Sequence, residues 1–111
     1  MATKKISIVV PVKNGIDTLP NLIEGIQQQT LFKQTEVVII DSGSTDGSVE
    51  FLSQLTFVKV VSIDPKTFNH GATRNLAVTH CKGEFVLMTV QDAWTTDPKL
   101  LERMVCHFED E

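Results

Sequence analysis

Positive charge, cysteine and long apolar runs are all scarce in this 111-residue sequence, and each shortage removes a class of function. Lys and Arg number 10 against 14 Asp and Glu, a formal net charge of −4, and the basic residues are scattered, so no field is set up to hold nucleic-acid phosphates. Nucleic acid is therefore not expected as a partner. The apolar stretch behind MATKK breaks at Lys13, far short of the roughly 20 residues that cross a bilayer and too short for a signal-peptide core. The expected location is the cytoplasm, up to the inner face of the membrane, with no transmembrane segment. Neither Cys81 nor Cys106 belongs to a CxxC, so a disulfide framework or zinc site has little support and two reduced thiols packed on helices or at their ends are expected.

The common nucleotide-binding loops are missing too. PVKNG, after the first apolar run, contains neither G-x-G-x-x-G nor G-x-x-x-x-G-K-[ST], and DSGSTDG fits neither spacing. A phosphoacceptor receiver domain would carry paired acids after its first strand, where this chain has Lys13 and Asn14.

What is present is a set of short β-rich runs, each ending in turn residues. Val37 to Ile40 is apolar and β-branched at every position, which suits a strand covered on both faces, as in a parallel sheet with helices on each side. Strands are expected at Ile6 to Val12, Glu36 to Ile40, Val58 to Ile63 and Glu84 to Val90, with Pro11 removing one ladder bond from the first. Helices are expected between and after them. One carries Leu19, Leu22, Ile23 and Ile26 and is capped by Asp17 or Thr18; a short one follows Asp46 as N-cap; one opens at Gly71 to Arg74 and stops at Gly83; the last opens at Asp97 and Pro98. The resulting β-α-β-α-β-α-β-α order predicts one α/β domain over residues 1–111, an open and mostly parallel sheet with helices on both faces and strand order 3-2-1-4. Because the winding reverses between strands one and four, the ligand crevice is expected beside Lys13, Asn14, Gln91 and Asp92, with Asp41 next to them.

The residues gathered there suit a pyrimidine nucleoside diphosphate. Uracil or thymine presents an N–H between two carbonyls, which a carboxylate such as Asp41 and nearby backbone amides can meet. Arg74 can reach a base or phosphate, and Asp92 can give a hard oxygen to a Mg²⁺ or Mn²⁺ ion bridging a diphosphate.

Four blocks, SIVVPVKNG, VVIIDSGSTDGS, HGATRNLA and GEFVLMTVQDA, run from Ser7 to Ala93, and in order and spacing the chain resembles the N-terminal, nucleotide-binding half of a family 2 glycosyltransferase with the Rossmann-like GT-A fold. FNHGATRN and QDA further resemble the bacterial rhamnosyltransferase-like branch, which uses a deoxythymidine-diphosphate sugar. The resemblance implies that Pro11, Val12, Lys13 and Asn14, with Asp41, hold base and ribose, that Ser42 is a nucleotide contact beside them, and that Arg74 supports the nucleotide. It also implies a D-x-D motif after strand four. Here that motif reads Val90-Gln91-Asp92, so Asp92 is the implied metal ligand and Gln91 a nucleotide contact, while the first acid is replaced by Val90. The implied reaction is inverting transfer from a UDP- or dTDP-sugar to a hydroxyl of a glycan or lipid-linked acceptor, as in polysaccharide biosynthesis. The implied catalytic base lies beyond residue 111, so these residues alone are expected to be weak or inactive as a catalyst and to form the front part of a longer enzyme.

Each residue also has a plainer reading. Asp41 can simply initiate a turn, Asn14 can form an Asx-turn, Arg74 can be a solvated charge, His70 can fix its loop, and Trp94 either stacks on a sugar or fills the core. Ser42 and Ser44 are expected to serve the turn. At the level of the whole chain, the alternatives are a non-catalytic nucleotide-binding or regulatory domain and a ligand-free scaffold.

Overall fold

The computed structural model describes residues 6–64, 66, 70–89 and 98–109, with the backbone alone for residues 70, 71, 74 and 105–109. Four strands, β1 (Ile6–Val12), β2 (Thr35–Asp41), β3 (Val58–Ser62) and β4 (Phe85–Met88), alternate with α1 (Leu19–Gln27), α2 (Ser48–Ser53), α3 (His70–Thr79) and α4 (Leu100–Glu109). All pairings are parallel and the order is β3-β2-β1-β4, as the sequence pattern predicts.

Two of the three crossovers step the same way along the sheet, from β1 to β2 to β3, and the third steps back past β1 to β4. Right-handed crossovers then place α1 and α2 on one face and α3 on the other. The core divides accordingly. Ile6, Ile8, Val10 and Val12 of β1 pack with Val37 and Ile39 against α1, Leu52 of α2 and Leu101 of α4, while Val9, Val38 and Ile40 pack with Ala77 of α3. Burying each of these β1 and β2 side chains contributes about 1.5–3 kcal/mol, so the two central strands anchor the domain.

β4 is different. Phe85 and Leu87 join the α1 face, but Val86 and Met88, on the α3 side, remain 41% and 38% exposed. Among the described residues it is covered on one face.

Two local expectations are corrected and one is placed. Pro11 costs the β1–β2 ladder no bond: Val12 turns its carbonyl to Ser42 of the β2 side and Val9 turns its carbonyl to Thr89 of the β4 side, so the missing N–H of Pro11 faces the β4 side, beyond the last described β4 pair. Asp46 is not the N-cap of α2, because Gly47, at φ 95°, takes that place. Gly83 does not end α3, which stops at Thr79; it lies so close to β1 that a Cβ would sit 2.7 Å from the Ile6 carbonyl carbon and the Ser7 nitrogen. This close approach lets the turn into β4 bond to β1 and β2. The Gly83 amide donates to Ser7 Oγ at 2.8 Å, that hydroxyl donates to Glu36 Oε2 at 2.6 Å, and the Lys82 amide donates to the same oxygen.

Other contacts set the remaining helices. Thr18 occupies the N-cap position of α1 and Pro20 its first turn. The amide of Leu101, at the start of α4, donates to Oε1 of buried Gln29, and Thr30 Oγ1 donates to Glu102. The Asp97 cap lies outside the described residues.

Gly83→Ala is expected to destabilise the chain by about 1–3 kcal/mol, because the new methyl meets backbone rather than a movable side chain. Urea unfolding checks this. An unchanged midpoint would show that the turn is not held against β1.

Candidate functional site

The register of β1 on β2 sets Val12 beside Asp41, so the loops after both strands leave the sheet together at its C-terminal rim. β4 runs parallel to β1, and α3, returning from the end of β3, begins at the same rim. This is the point where the winding reverses, the place where open parallel sheets bind ligands.

Six of the expected site residues meet here. The backbone of Val12 accepts from the Ser42 amide at 3.0 Å and from the Ser42 hydroxyl at 3.4 Å. Lys13 reaches across to donate from Nζ to the Ser42 carbonyl at 3.3 Å. Asp41 is only 3% exposed, and its carboxylate closes the loop that follows it. Oδ2 accepts the amides of Gly43 and Ser44, both at 3.1 Å, and Oδ1 accepts the Ser44 hydroxyl. A carboxylate offers about four acceptor positions, so Oδ1 retains one. Pro11, paired with Ile40, and Asn14 complete the group. For the other three the geometry is silent: the Arg74 side chain, Gln91 and Asp92 lie outside the described residues, as do the His70 side chain and Trp94.

The two loops are also bonded to each other along three successive amides. Asn14 N donates to Ser44 Oγ at 2.8 Å, Gly15 N to Ser48 Oγ at 3.0 Å, and Ile16 N to Asp46 Oδ2 at 3.0 Å. In return the Thr45 amide donates to Asn14 Oδ1 at 2.8 Å. Each serine passes the connection on to an acid, Ser44 to Asp41 and Ser48 to Asp46. Asn14 holds a left-handed backbone at φ 51°, a conformation that asparagine tolerates better than most residues. Ser48, fully buried, is the residue that sequence reasoning passed over, since its hydroxyl acts on a loop more than thirty positions away.

The Ser48 hydroxyl, above all, holds the Asp46 carboxyl below its ordinary value of 3.8, against the opposing effect of burial and with help from the amides of Ile16 and Ser48. Cys81 is free, and burial pushes its thiol up, with the Ser7 contact acting the other way; its Sγ–H donates to the Ala77 carbonyl at 3.1 Å, the behaviour of a packing residue and not of a nucleophile.

No group of three or more His, Cys, Asp or Glu among the described residues could hold a metal ion. Asp41 and Asp46 are both engaged with loop donors. No described helix is long and apolar enough to cross a membrane. A separate hollow of about 450 Å³ lies at the opposite end of the sheet, lined by Phe32, Thr35, Leu55 and Phe57 with Gln27, Lys33, Gln54 and Thr56.

An open parallel sheet with order 3-2-1-4 and a polar rim at its switch point is an α/β architecture of the GT-A type. Residues 7–111 match the model of glycosyl transferase family 2, and the chain belongs to that family. It is 36% identical over 107 residues to the O-antigen chain rhamnosyltransferase RfbN of Salmonella typhimurium, covering 96% of this chain and 34% of that protein. Among solved structures, S. aureus TarS in complex with UDP superposes with a TM-score of 0.80 at 25% identity, covering 96% of this chain and 32% of that one. The mannosyltransferase PcManGT of Pyrobaculum calidifontis, in complex with GDP-Man and Mn²⁺, superposes with a TM-score of 0.78 at 26% identity, covering 91% and 31%. The chain thus spans about a third of the length of these proteins.

Because the Asp46 pKa is lowered in the folded state, its contacts are intact above 3.8 and are lost only as pH falls through that lower value. The amide resonances of Ile16 and Ser48 are therefore expected to stay fixed from about pH 7 to about pH 5 and to titrate below the ordinary carboxylate range. A titration midpoint at or above the unperturbed 3.8 would contradict the assignment.

Proposed function

We propose that this chain holds the donor of an inverting glycosyltransferase, a nucleoside-diphosphate sugar, at the rim formed by the β1 and β2 loops. The observation that carries the reading is the junction of Pro11, Val12, Lys13 and Asn14 with Asp41 and Ser42 at the switch point of a family 2 chain. UDP in TarS and GDP-Man in PcManGT support the class of ligand.

The roles follow from the side chains. The remaining acceptor position on Asp41 Oδ1 suits the ring N–H of uracil or thymine. The amides of residues 14–16 are already bonded within the protein, so the base carbonyls must be met by other donors. Lys13, which donates to the Ser42 carbonyl, puts a positive charge at this rim that suits the diphosphate. Arg74 and Gln91 complete the nucleotide contacts, and Asp92 would ligate Mg²⁺ or Mn²⁺, the metal supplying neutralisation of charge on the departing diphosphate. Mn²⁺ in PcManGT supports the choice of ion.

The similarity to a rhamnosyltransferase favours a deoxy sugar carried on dTDP over one carried on UDP. The product would be a bacterial surface glycan, made at the cytoplasmic face of the membrane on a glycan or lipid-linked acceptor. We assign the acceptor groove and the catalytic base to the part of the relatives' length that this chain does not span, so residues 1–111 form one donor-binding domain.

Calorimetry with UDP, dTDP and GDP, with and without Mn²⁺, tests the reading. Both pyrimidine diphosphates are expected to bind, more tightly with Mn²⁺, and GDP about tenfold or more weakly. Flat isotherms with all three would favour a scaffold without ligand and overturn it.

A further inference from the structure

Three consecutive amides of one loop, those of Asn14, Gly15 and Ile16, are all taken up by side chains of another, and the acceptors are Ser44, Ser48 and Asp46. We propose that these three acceptors are positioning residues for the donor nucleotide, which fix the β1 loop in its binding conformation before the ligand arrives. The inference rests on the reading that this rim binds a nucleotide, and it assigns Asp46 a role that neither the N-cap expectation nor a ligand contact describes.

The physical argument starts from the loop itself. Asn14 sits at φ 51°, and an isolated Lys-Asn-Gly segment would sample many other conformations. Ordering such a segment during binding would weaken the observed affinity by the fraction of time it is competent. Here the ordering is done in advance. The Ser44 and Ser48 hydroxyls each accept one loop amide and donate to one acid, so neither serine has its proton left to offer elsewhere. Asp46 accepts on both oxygens, Oδ2 from Ile16 and Oδ1 from the amide and hydroxyl of Ser48, and so ties the β1 loop to the first turn of α2. The Asn14 side chain closes the circuit through Thr45. Because Ser44 also donates to Asp41, the same network aims the one carboxylate proposed to read the base.

Asp46→Asn tests this with little disturbance elsewhere, since the side chain lies at the surface. The new amide group must turn its N–H2 toward a group that now donates, either Ile16 or Ser48. With UDP and dTDP as probes, and measured well below either melting temperature, the Kd is expected to rise about tenfold with the loss appearing mainly as a less favourable entropy. Hydrogen exchange of the Asn14, Gly15 and Ile16 amides in the free protein should accelerate in the same variant. Ser44→Ala is expected to act in the same direction through Asn14. A Kd for Asp46→Asn equal to that of the unmodified chain, or fast exchange of these amides in the unmodified chain, would overturn the proposal while leaving nucleotide binding intact. If the unmodified chain binds neither UDP nor dTDP, the functional reading fails and this proposal falls with it.

Discussion

Seven residues of β1 lie in parallel register on seven of β2, and the site follows from that pairing. It sets Val12 beside Asp41, so that two loops far apart in sequence leave the sheet at the same height and close enough to exchange hydrogen bonds. The pairing is stable because both strands are apolar on both faces and buried by helices on each side. Sliding β2 by one residue on β1 would turn Ile39 toward the wrong layer and displace the loop after Asp41 from the Asn14 loop. Packing energy in the sheet is thus converted into geometry at the rim.

The strands most legible in the sequence were those with the simplest environment. Val37 to Ile40 announces burial on both sides, and the reversal of winding follows from element order alone. Where the sequence misled, a residue type had two competing uses. Gly83 reads as a helix stop but serves a close contact with β1, and Asp46 reads as an N-cap because acids favour that place, whereas the left-handed turn at Gly47 claims it. In the run Phe85 to Met88 the exposed residues, Val86 and Met88, are as apolar as the inward ones, so polarity alone does not mark its outer face.

Much of the candidate site was legible as a set of residues, and little of it as a set of bonds. The meeting of Lys13 and Asn14 with Asp41 could be foreseen from topology, whereas Pro11, Val12 and Ser42 are named through the family resemblance. The bonds could not, because a serine hydroxyl carries no sign of which amide it will meet across thirty intervening positions, and Ser48 in particular sits in a helix where it reads as filler. The structure also changes how Asp41 is understood. The turn-forming and base-reading roles, which seem to compete in the sequence, are compatible on one carboxylate, since three donors shape the loop and one acceptor position remains.

In the proposed function the nucleotide is held at the rim where these two joined loops meet. Amide chemical-shift mapping during a dTDP titration tests this directly. Perturbations among the loop residues are expected to concentrate at Val12, Lys13, Asn14, Ser42 and Ser44. Perturbations gathered instead around Phe32, Lys33 and Phe57, at the hollow on the far end of the sheet, would contradict it.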